Sequence, residues 1–173
     1  MRRFIPLLVI VLVLVLAGCP TYFAGTRYDR PSKQNVQYLR STIVKKDTRG
    51  TFYLSVRYIV TEESETIYLV MEHVGRELLY IRDKESLIIR GRGVNIRLSQ
   101  ERKRRVREQR KSDVREISFF PISEEQYMQV VTSRETTGIL VTAKQPVRFA
   151  LPSNLKVNMR RFYQEQIAPW PAA

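Results

Sequence analysis

The segment "TFYLSVRYIVTEESETIYLVMEHV", residues 51 to 74, holds the pattern that decides the fold. Two runs rich in β-branched and aromatic residues, 51–60 and 65–74, are separated by the polar stretch "TEESE". Apolar side chains recur at every second position of the first run, which is the period of a half-buried strand. One face of that strand carries Phe52, Leu54, Val56, Tyr58 and Val60. The segment therefore predicts two neighbouring strands joined by a short turn.

Further strands are predicted on both sides of this pair. Upstream, "STIVKK" (41–46) precedes the polar turn Asp47-Thr48-Arg49-Gly50, so 41–46 and 51–60 form a predicted hairpin. Downstream, the turn Arg90-Gly91-Arg92-Gly93 lies between two short apolar runs, and strand-like residues follow it where a phosphate-binding loop would lead into a helix. The other predicted β segments are "ELLYIRD" (77–83), "SLIIRGRGVNIRL" (86–98), "VREISFFPI" (114–122), "GILVTA" (138–143) and "VRFAL" (147–151).

Two segments change to a helical period. Ser123 and Gln126 have the spacing of a capping box, which predicts a helix near residues 123–133 with Tyr127, Val130 and Val131 on one face. A second helix is predicted over 152–166. Its apolar side holds Leu155, Met159, Phe162 and Tyr163. The predicted fold class is α+β, a mostly antiparallel sheet, sandwich-like or strongly curved, that carries two helices.

The N-terminus, "MRRFIPLLVIVLVLVLAGCP", joins two arginines, an apolar run and a small-residue stretch, which is the order of a secretory signal peptide. The run is shorter than the roughly 20 apolar residues that a membrane-spanning helix needs. Leu16-Ala17-Gly18-Cys19 resembles the lipobox of bacterial lipoproteins. This resemblance implies that residues 1–18 are removed and that Cys19 carries at least two acyl chains. The alternatives are an uncleaved anchor or an ordinary signal peptide with a chance cysteine.

The lipobox resemblance also implies an address in the cell envelope. Pro20-Thr21 lacks the aspartate that commonly retains similar lipoproteins at the inner membrane, so the outer membrane is favoured if the source is Gram-negative. Acylation would use the single thiol of the chain and leave no disulfide or cysteine chemistry. The order of predicted strands and helices resembles only uncharacterised bacterial envelope domains, which imply no site.

Composition divides the chain into four parts. Residues 1–18 are the predicted signal peptide. Residues 19–35 are polar, contain two prolines and show no sustained period, which predicts a lipid-anchored tether. Residues 36–167 form the predicted single α+β domain, and residues 168–173 form a short C-terminal tail.

The chain is strongly basic, with a formal net charge of +13 that would fall to +11 once Arg2 and Arg3 are removed. Eight of the eighteen residues in "SQERKRRVREQRKSDVRE" (99–116) are Lys or Arg. Val106 is the one apolar residue between positions 102 and 111, so the run is predicted to project as an exposed loop or ribbon outside the core. The candidate binding residues are Arg102, Lys103, Arg104, Arg105, Arg107, Arg110 and Lys111.

The expected partner of this basic run is an anionic envelope component or an acidic envelope protein. Nucleic acid is not expected, because it is largely absent outside the cytoplasm. The alternative is a solvated loop that binds nothing. Since the run is predicted to lie outside the core, replacing Arg104, Arg105, Arg107 and Arg110 by Gln is expected to leave the melting temperature nearly unchanged.

No residue set indicates a catalytic centre or a cofactor. His73, the one histidine, is expected to be a partly exposed strand-end residue without a metal or catalytic role. Acidic residues cluster at Glu62, Glu63 and Glu65 and again at Asp83 and Glu85. The sequence favours a non-enzymatic, lipid-anchored envelope protein. The alternative is a cell-wall or lipid-modifying enzyme with an inconspicuous carboxylate pair.

Overall fold

The computed structural model of the chain describes residues 22–29 and 34–168. The predicted signal peptide, the lipobox with Cys19 and residues 169–173 of the predicted tail lie outside the described residues.

The described residues form two antiparallel sheets and two α-helices, so the predicted α+β fold is confirmed. The strands are β1 (Ala24–Asp29), β2 (Gln34–Asp47), β3 (Gly50–Val60), β4 (Glu65–Gly75), β5 (Leu87–Gly91), β6 (Val94–Leu98), β7 (Val106–Gln109), β8 (Val114–Ile122), β9 (Thr136–Leu140) and β10 (Val147–Ala150). The helices are α1 (Glu124–Thr132) and α2 (Ser153–Phe162), with a 3-10 turn at Arg102–Arg104 and a π-helical turn at Tyr163–Ile167.

The larger sheet has six strands in the order β1-β2-β3-β4-β8-β7. Its centre is the pair predicted from residues 51–74, in which Leu54 lies opposite Met71 and Val56 opposite Leu69. These side chains are buried in the main core, as the alternating pattern predicts. The predicted hairpin of 41–46 with 51–60 is also confirmed, although β2 extends further toward the N-terminus than its sequence indicated.

The smaller sheet has four strands in the order β10-β9-β5-β6. Gly93 has a φ of 75°, which a glycine adopts without strain, and it turns the chain from β5 directly into β6. The inner faces of both sheets and the apolar sides of both helices share one core. Its helical members include Tyr127 and Val130 of α1 and Leu155 of α2.

Both helices lie where they were predicted. Ser123 and Gln126 form the predicted capping box, with each side chain accepting from the other residue's backbone N–H. The Tyr127 hydroxyl donates to the carbonyl oxygen of Met159 over 2.8 Å, which joins α1 to α2 inside the core. Burial raises the pKa of Tyr127, because its phenolate would have to form away from water.

Two predictions about local structure are wrong. Residues 24–29 of the predicted tether form strand β1, which pairs with 34–39 of β2 through backbone hydrogen bonds that its polar sequence does not reveal. Residues 77–83 of the predicted "ELLYIRD" strand form a loop with one isolated bridge, Ile81 to Thr142. That loop is fixed by a buried carboxylate on β8, described below.

Within the part of the chain that the structure describes, no helix is both long and apolar enough to cross a lipid bilayer.

Candidate functional site

The outer face of the large sheet, opposite the main core, carries a second and smaller apolar cluster. Its buried members are Ile59, Tyr68, Val70, Ile117 and Phe119. Two guanidinium groups stack on this cluster: Arg57 lies 4.9 Å from the Phe119 ring centre and Arg104 lies 5.4 Å from that of Tyr68. Arginine side chains therefore cover part of the outer face.

The basic run crosses this face. The backbone N–H of Glu101 donates to the carbonyl oxygen of Phe119 over 2.8 Å, and the Tyr68 hydroxyl donates to the Glu101 carboxylate over 2.7 Å. From the 3-10 turn, Arg104 reaches the amide oxygen of Gln34 on β2 over 3.4 Å. The run then continues into β7, which pairs with β8. The run was predicted to project as an exposed loop or ribbon; its first part is instead fixed against the sheet, whereas β7 is an exposed edge strand.

A groove of about 640 Å³ lies between this segment and the β1–β2 side of the sheet. Its lining combines apolar residues such as Val36 and Ile59 with the hydroxyl-bearing residues Tyr38 and Ser55. One carboxylate, Glu72, lines it. Seven basic residues line it: Arg27, Arg40, Arg57, Lys103, Arg104, Arg105 and Arg115. We call this feature the basic groove.

Several charges of the basic groove are balanced locally. Glu72 accepts from Arg115 Nε over 2.6 Å, and this hydrogen bond raises the pKa of the Arg115 guanidinium. The Nε atom of Arg104 lies 3.5 Å from a carboxylate oxygen of Glu101.

Other cations of the basic groove lack such compensation. Among residues 22–29 and 34–168, the exposed side chains of Arg27, Arg40 and Lys103 have no ion-pair partner. The groove therefore has an excess of positive charge, which attracts anions.

The structure brings three of the seven predicted binding residues into this groove: Lys103, Arg104 and Arg105. The other four, Arg102, Arg107, Arg110 and Lys111, do not line it. Arg102 pairs with Asp83 over 2.5 Å and Arg110 with Glu108 over 3.3 Å, both near the surface.

The expected exposure of the whole basic run is wrong for Arg104 and Arg105. The side chain of Arg105 is only 19% exposed, pairs with Asp83 and donates to Gln100 Oε1 over 3.0 Å. Gln100 in turn donates to the backbone oxygens of Ile81 and Arg82, so Arg105 belongs to a network that fixes the loop after β4. The partners come from distant parts of the sequence, so the run itself did not reveal them.

Arg107 contacts a carboxylate that sequence reasoning missed. Glu116 is fully buried and accepts from the backbone N–H groups of Leu79, Tyr80 and Ile81 at 3.1, 3.2 and 3.3 Å. Arg107 Nε lies 3.3 Å from the same carboxylate. A signal was available, because alternation along β8 places Glu116 on the core face with Phe120.

His73 lies near the end of β4, as predicted, but it is buried and not partly exposed. The turn that ends β2 folds over it, and its Nε2 donates to the carbonyl oxygen of Arg49 over 3.0 Å. Gly50 leaves room for the ring, because a Cβ atom there would lie 2.8 Å from Nε2. No group of three or more potential metal ligands occurs among the described residues.

The acidic residues singled out in the sequence lie apart from the basic groove. Glu62 and Glu63 are exposed in the turn between β3 and β4, and Glu65 accepts from the Tyr58 hydroxyl over 2.5 Å. Asp83 and Glu85 are each paired with arginine. Among the described residues that line the groove, no second carboxylate joins Glu72.

No protein-family model matches the chain, and no curated protein or solved structure is significantly similar to it. The class of protein is therefore defined by fold and site alone: an α+β domain of two antiparallel sheets with a basic groove on the outer face of the larger sheet.

Proposed function

We propose that this protein is a lipid-anchored component of the bacterial cell envelope, with a non-enzymatic role in binding an anionic envelope component at the basic groove. One observation carries the proposal: Arg27, Arg40 and Lys103 border the groove without an ion-pair partner in the described structure, while its single carboxylate is already paired. Ligand phosphates or carboxylates would complete this charge balance.

The chemistry of the groove favours a particular kind of anion. Arginine presents a planar fork of donors that binds phosphate or carboxylate in a bidentate manner. The lining also includes Tyr38 and Ser55, which carry hydroxyl groups, and the apolar residue Val36. A ligand with a charged group and an attached hydrocarbon or sugar portion fits this mixture better than a small inorganic ion does.

The proposed lipid anchor and the proposed cellular location are both inferred from the N-terminal sequence. The apolar run and the resemblance of Leu16-Ala17-Gly18-Cys19 to a lipobox support acylation of Cys19, and the residues after Cys19 favour the outer membrane in a Gram-negative source. Two acyl chains anchor a protein stably, whereas one binds only marginally.

The groove is tested with the full chain in a neutral detergent, titrated with dihexanoyl phosphatidylglycerol kept monomeric. In the groove variant, Arg27, Arg40 and Lys103 are replaced by Gln. The matched control replaces Arg90, Arg92 and Arg148 by Gln, which removes the same charge from exposed positions in or beside the small sheet.

We expect the groove variant to lose at least about tenfold in affinity, because one hydrogen bond to a charged group contributes about 1.5–3 kcal/mol. The control should bind like the parent. Equal losses in both variants would show a non-specific charge effect and overturn the assignment of the groove.

A further inference from the structure

The folded domain begins very close to the predicted lipid anchor. The Tyr22 hydroxyl donates to Glu165 over 2.9 Å, and Arg161 lies 4.2 Å from the Tyr22 ring centre, so Tyr22 is fixed to the helical C-terminal region. Burial and the hydrogen bond to Glu165 raise the pKa of Tyr22 to about 12. Only Pro20 and Thr21 separate Tyr22 from Cys19.

This separation limits how far the domain can move from the bilayer. A fully extended chain spans about 3.5 Å per residue, so Tyr22 lies at most about 11 Å from Cys19. The headgroup layer of one leaflet is itself about 5–7 Å thick. A predicted tether reaching residue 35 would have allowed about 60 Å. With β1 in the sheet, one side of the domain must rest on the headgroups.

The outer face of the large sheet has apolar groups suited to that contact. Phe23 follows Tyr22, contacts Tyr38 of the outer face with ring centres 6.3 Å apart, and is 49% exposed. Ile43 lies opposite Tyr53, whose strand neighbours Phe52 and Leu54 are buried in the core, so Ile43 lies on the outer face, where it is 53% exposed. Two large apolar side chains are thus exposed on the same face.

Cations surround these apolar groups. Arg27 and Arg40 are exposed and line the basic groove, and the exposed Lys46 lies opposite Thr51 on the same face. Exposed aromatic and aliphatic side chains interspersed with Lys and Arg are typical of protein surfaces that lie in a membrane interface.

We infer that the outer face of β1, β2 and β3 rests on the membrane that holds Cys19, and that the basic groove binds an anionic lipid headgroup of that same membrane. This inference rests on the proposed function and identifies its ligand. Phe23 and Ile43 enter the headgroup region, while Arg27, Arg40 and Lys46 contact lipid phosphates. Because Tyr22 contacts Arg161, the end of α2 also lies close to the anchor, so the alternative orientation is one in which this helical side rests on the bilayer.

Orientation is measured with the mature acylated protein reconstituted in vesicles of phosphatidylcholine and phosphatidylglycerol. Because acylation blocks the single native cysteine, a new cysteine can be labelled alone. A fluorophore is attached at Phe23→Cys, at Ile43→Cys or, as control, at Val157→Cys. Val157 is 60% exposed on α2, which packs on the core side of the large sheet. A lipid with a spin-labelled headgroup serves as the quencher.

We expect several-fold stronger quenching at positions 23 and 43 than at position 157. The acyl chains hold the protein on the vesicle whatever its lipid composition, so quenching reports orientation and not association. Replacing phosphatidylglycerol by phosphatidylcholine, or adding Lys46→Gln to the Phe23→Cys protein, should reduce quenching at position 23. Equal or weaker quenching at 23 and 43 than at 157 would overturn the inference.

The two proposals fail in different ways. If monomeric phosphatidylglycerol binds at the groove but positions 23 and 43 are not quenched, the groove is an anion site that faces a ligand other than its own membrane. If the acylated protein shows the expected quenching but groove variants bind the monomeric lipid normally, the face contacts the membrane without a headgroup in the groove, and the ligand assignment is wrong.

Discussion

Glu116 shows how a single buried charge organises a loop. Its carboxylate accepts three consecutive backbone N–H groups, from Leu79, Tyr80 and Ile81, and also contacts Arg107. Tyr80 has a φ of 54°, an uncommon conformation for a residue with a side chain. Burying a carboxylate is costly unless hydrogen bonds compensate it, so the loop and β8 depend on each other.

The first prediction is that Glu116→Gln lowers the free energy of unfolding by about 2–4 kcal/mol. The amide keeps the shape but replaces one acceptor oxygen with an NH₂ group that faces backbone donors. Urea denaturation followed by circular dichroism measures the change. The control Glu63→Gln, in the exposed turn after β3, should stay within about 0.5 kcal/mol of the parent. Similar stability for the two variants would contradict this role of Glu116.

Glu116 and His73 show how far the contacts of a side chain can be predicted from the alternation of a strand. Alternation along a strand predicts which face a residue occupies, and it places both correctly within their strands. It does not show which loop later covers a strand end. His73 is buried because the turn at Arg49 folds back over it, which is a contact between distant segments.

At the scale of elements, the basic run from Arg102 to Lys111 divides into two parts with different roles. Lys103, Arg104 and Arg105 line the groove on the outer face, while Arg110 and Lys111 remain exposed beyond β7. Composition predicted a solvent-accessible polar segment. It could not predict the crossing, because the partners Gln34, Asp83 and Phe119 are distant in sequence.

The second prediction separates these two parts. Arg105→Gln removes the ion pair with Asp83 and the hydrogen bond to Gln100, and should lower the free energy of unfolding by about 1–3 kcal/mol. The double variant Arg110→Gln/Lys111→Gln should be nearly neutral, because its side chains are exposed. Thermal and urea unfolding provide the measurement. An unchanged Arg105→Gln protein would support the original expectation that the run lies outside the folded network.

The accuracy of the element predictions followed the strength of each local signal. β3, β4 and β8 have clear apolar periods, and α1 has a capping box, so all four were predicted. β1 has the polar sequence "AGTRYD" and is held mainly by backbone bonds to β2, which leave no apolar period to detect.

At the scale of the whole molecule, the class of fold followed from the sequence but the arrangement did not. Short strands joined by turns, with two amphipathic helices, predicted an α+β domain, and the structure confirms it. The division into two sheets depends on contacts such as β5 with β9 that join distant parts of the chain. The groove is a product of this arrangement, since β1, β2, β8 and the basic run all line it or border it.

The third prediction concerns the proposed attachment of the whole molecule to a membrane. Cys19→Ala should abolish incorporation of labelled fatty acid in bacterial cells and leave the protein unprocessed, because we propose that the Cys19 thiol is the acylated group. Pro20→Ala, which changes the next residue but keeps the lipobox, should be labelled like the parent. Labelling that persists in Cys19→Ala would show that the chain is not a lipoprotein of this type.

Strand β7 is an edge strand of the large sheet, and its surroundings affect whether neighbouring copies of this protein would aggregate. Proteins anchored to one leaflet meet in two dimensions at high local concentration, where an uncovered strand invites edge-to-edge aggregation. β7 is only four residues long and exposed, and it is followed by the exposed cations Arg110 and Lys111. Two such strands would bring like charges together on approach. The positive charge beside β7 would therefore keep crowded copies apart and leave their grooves accessible.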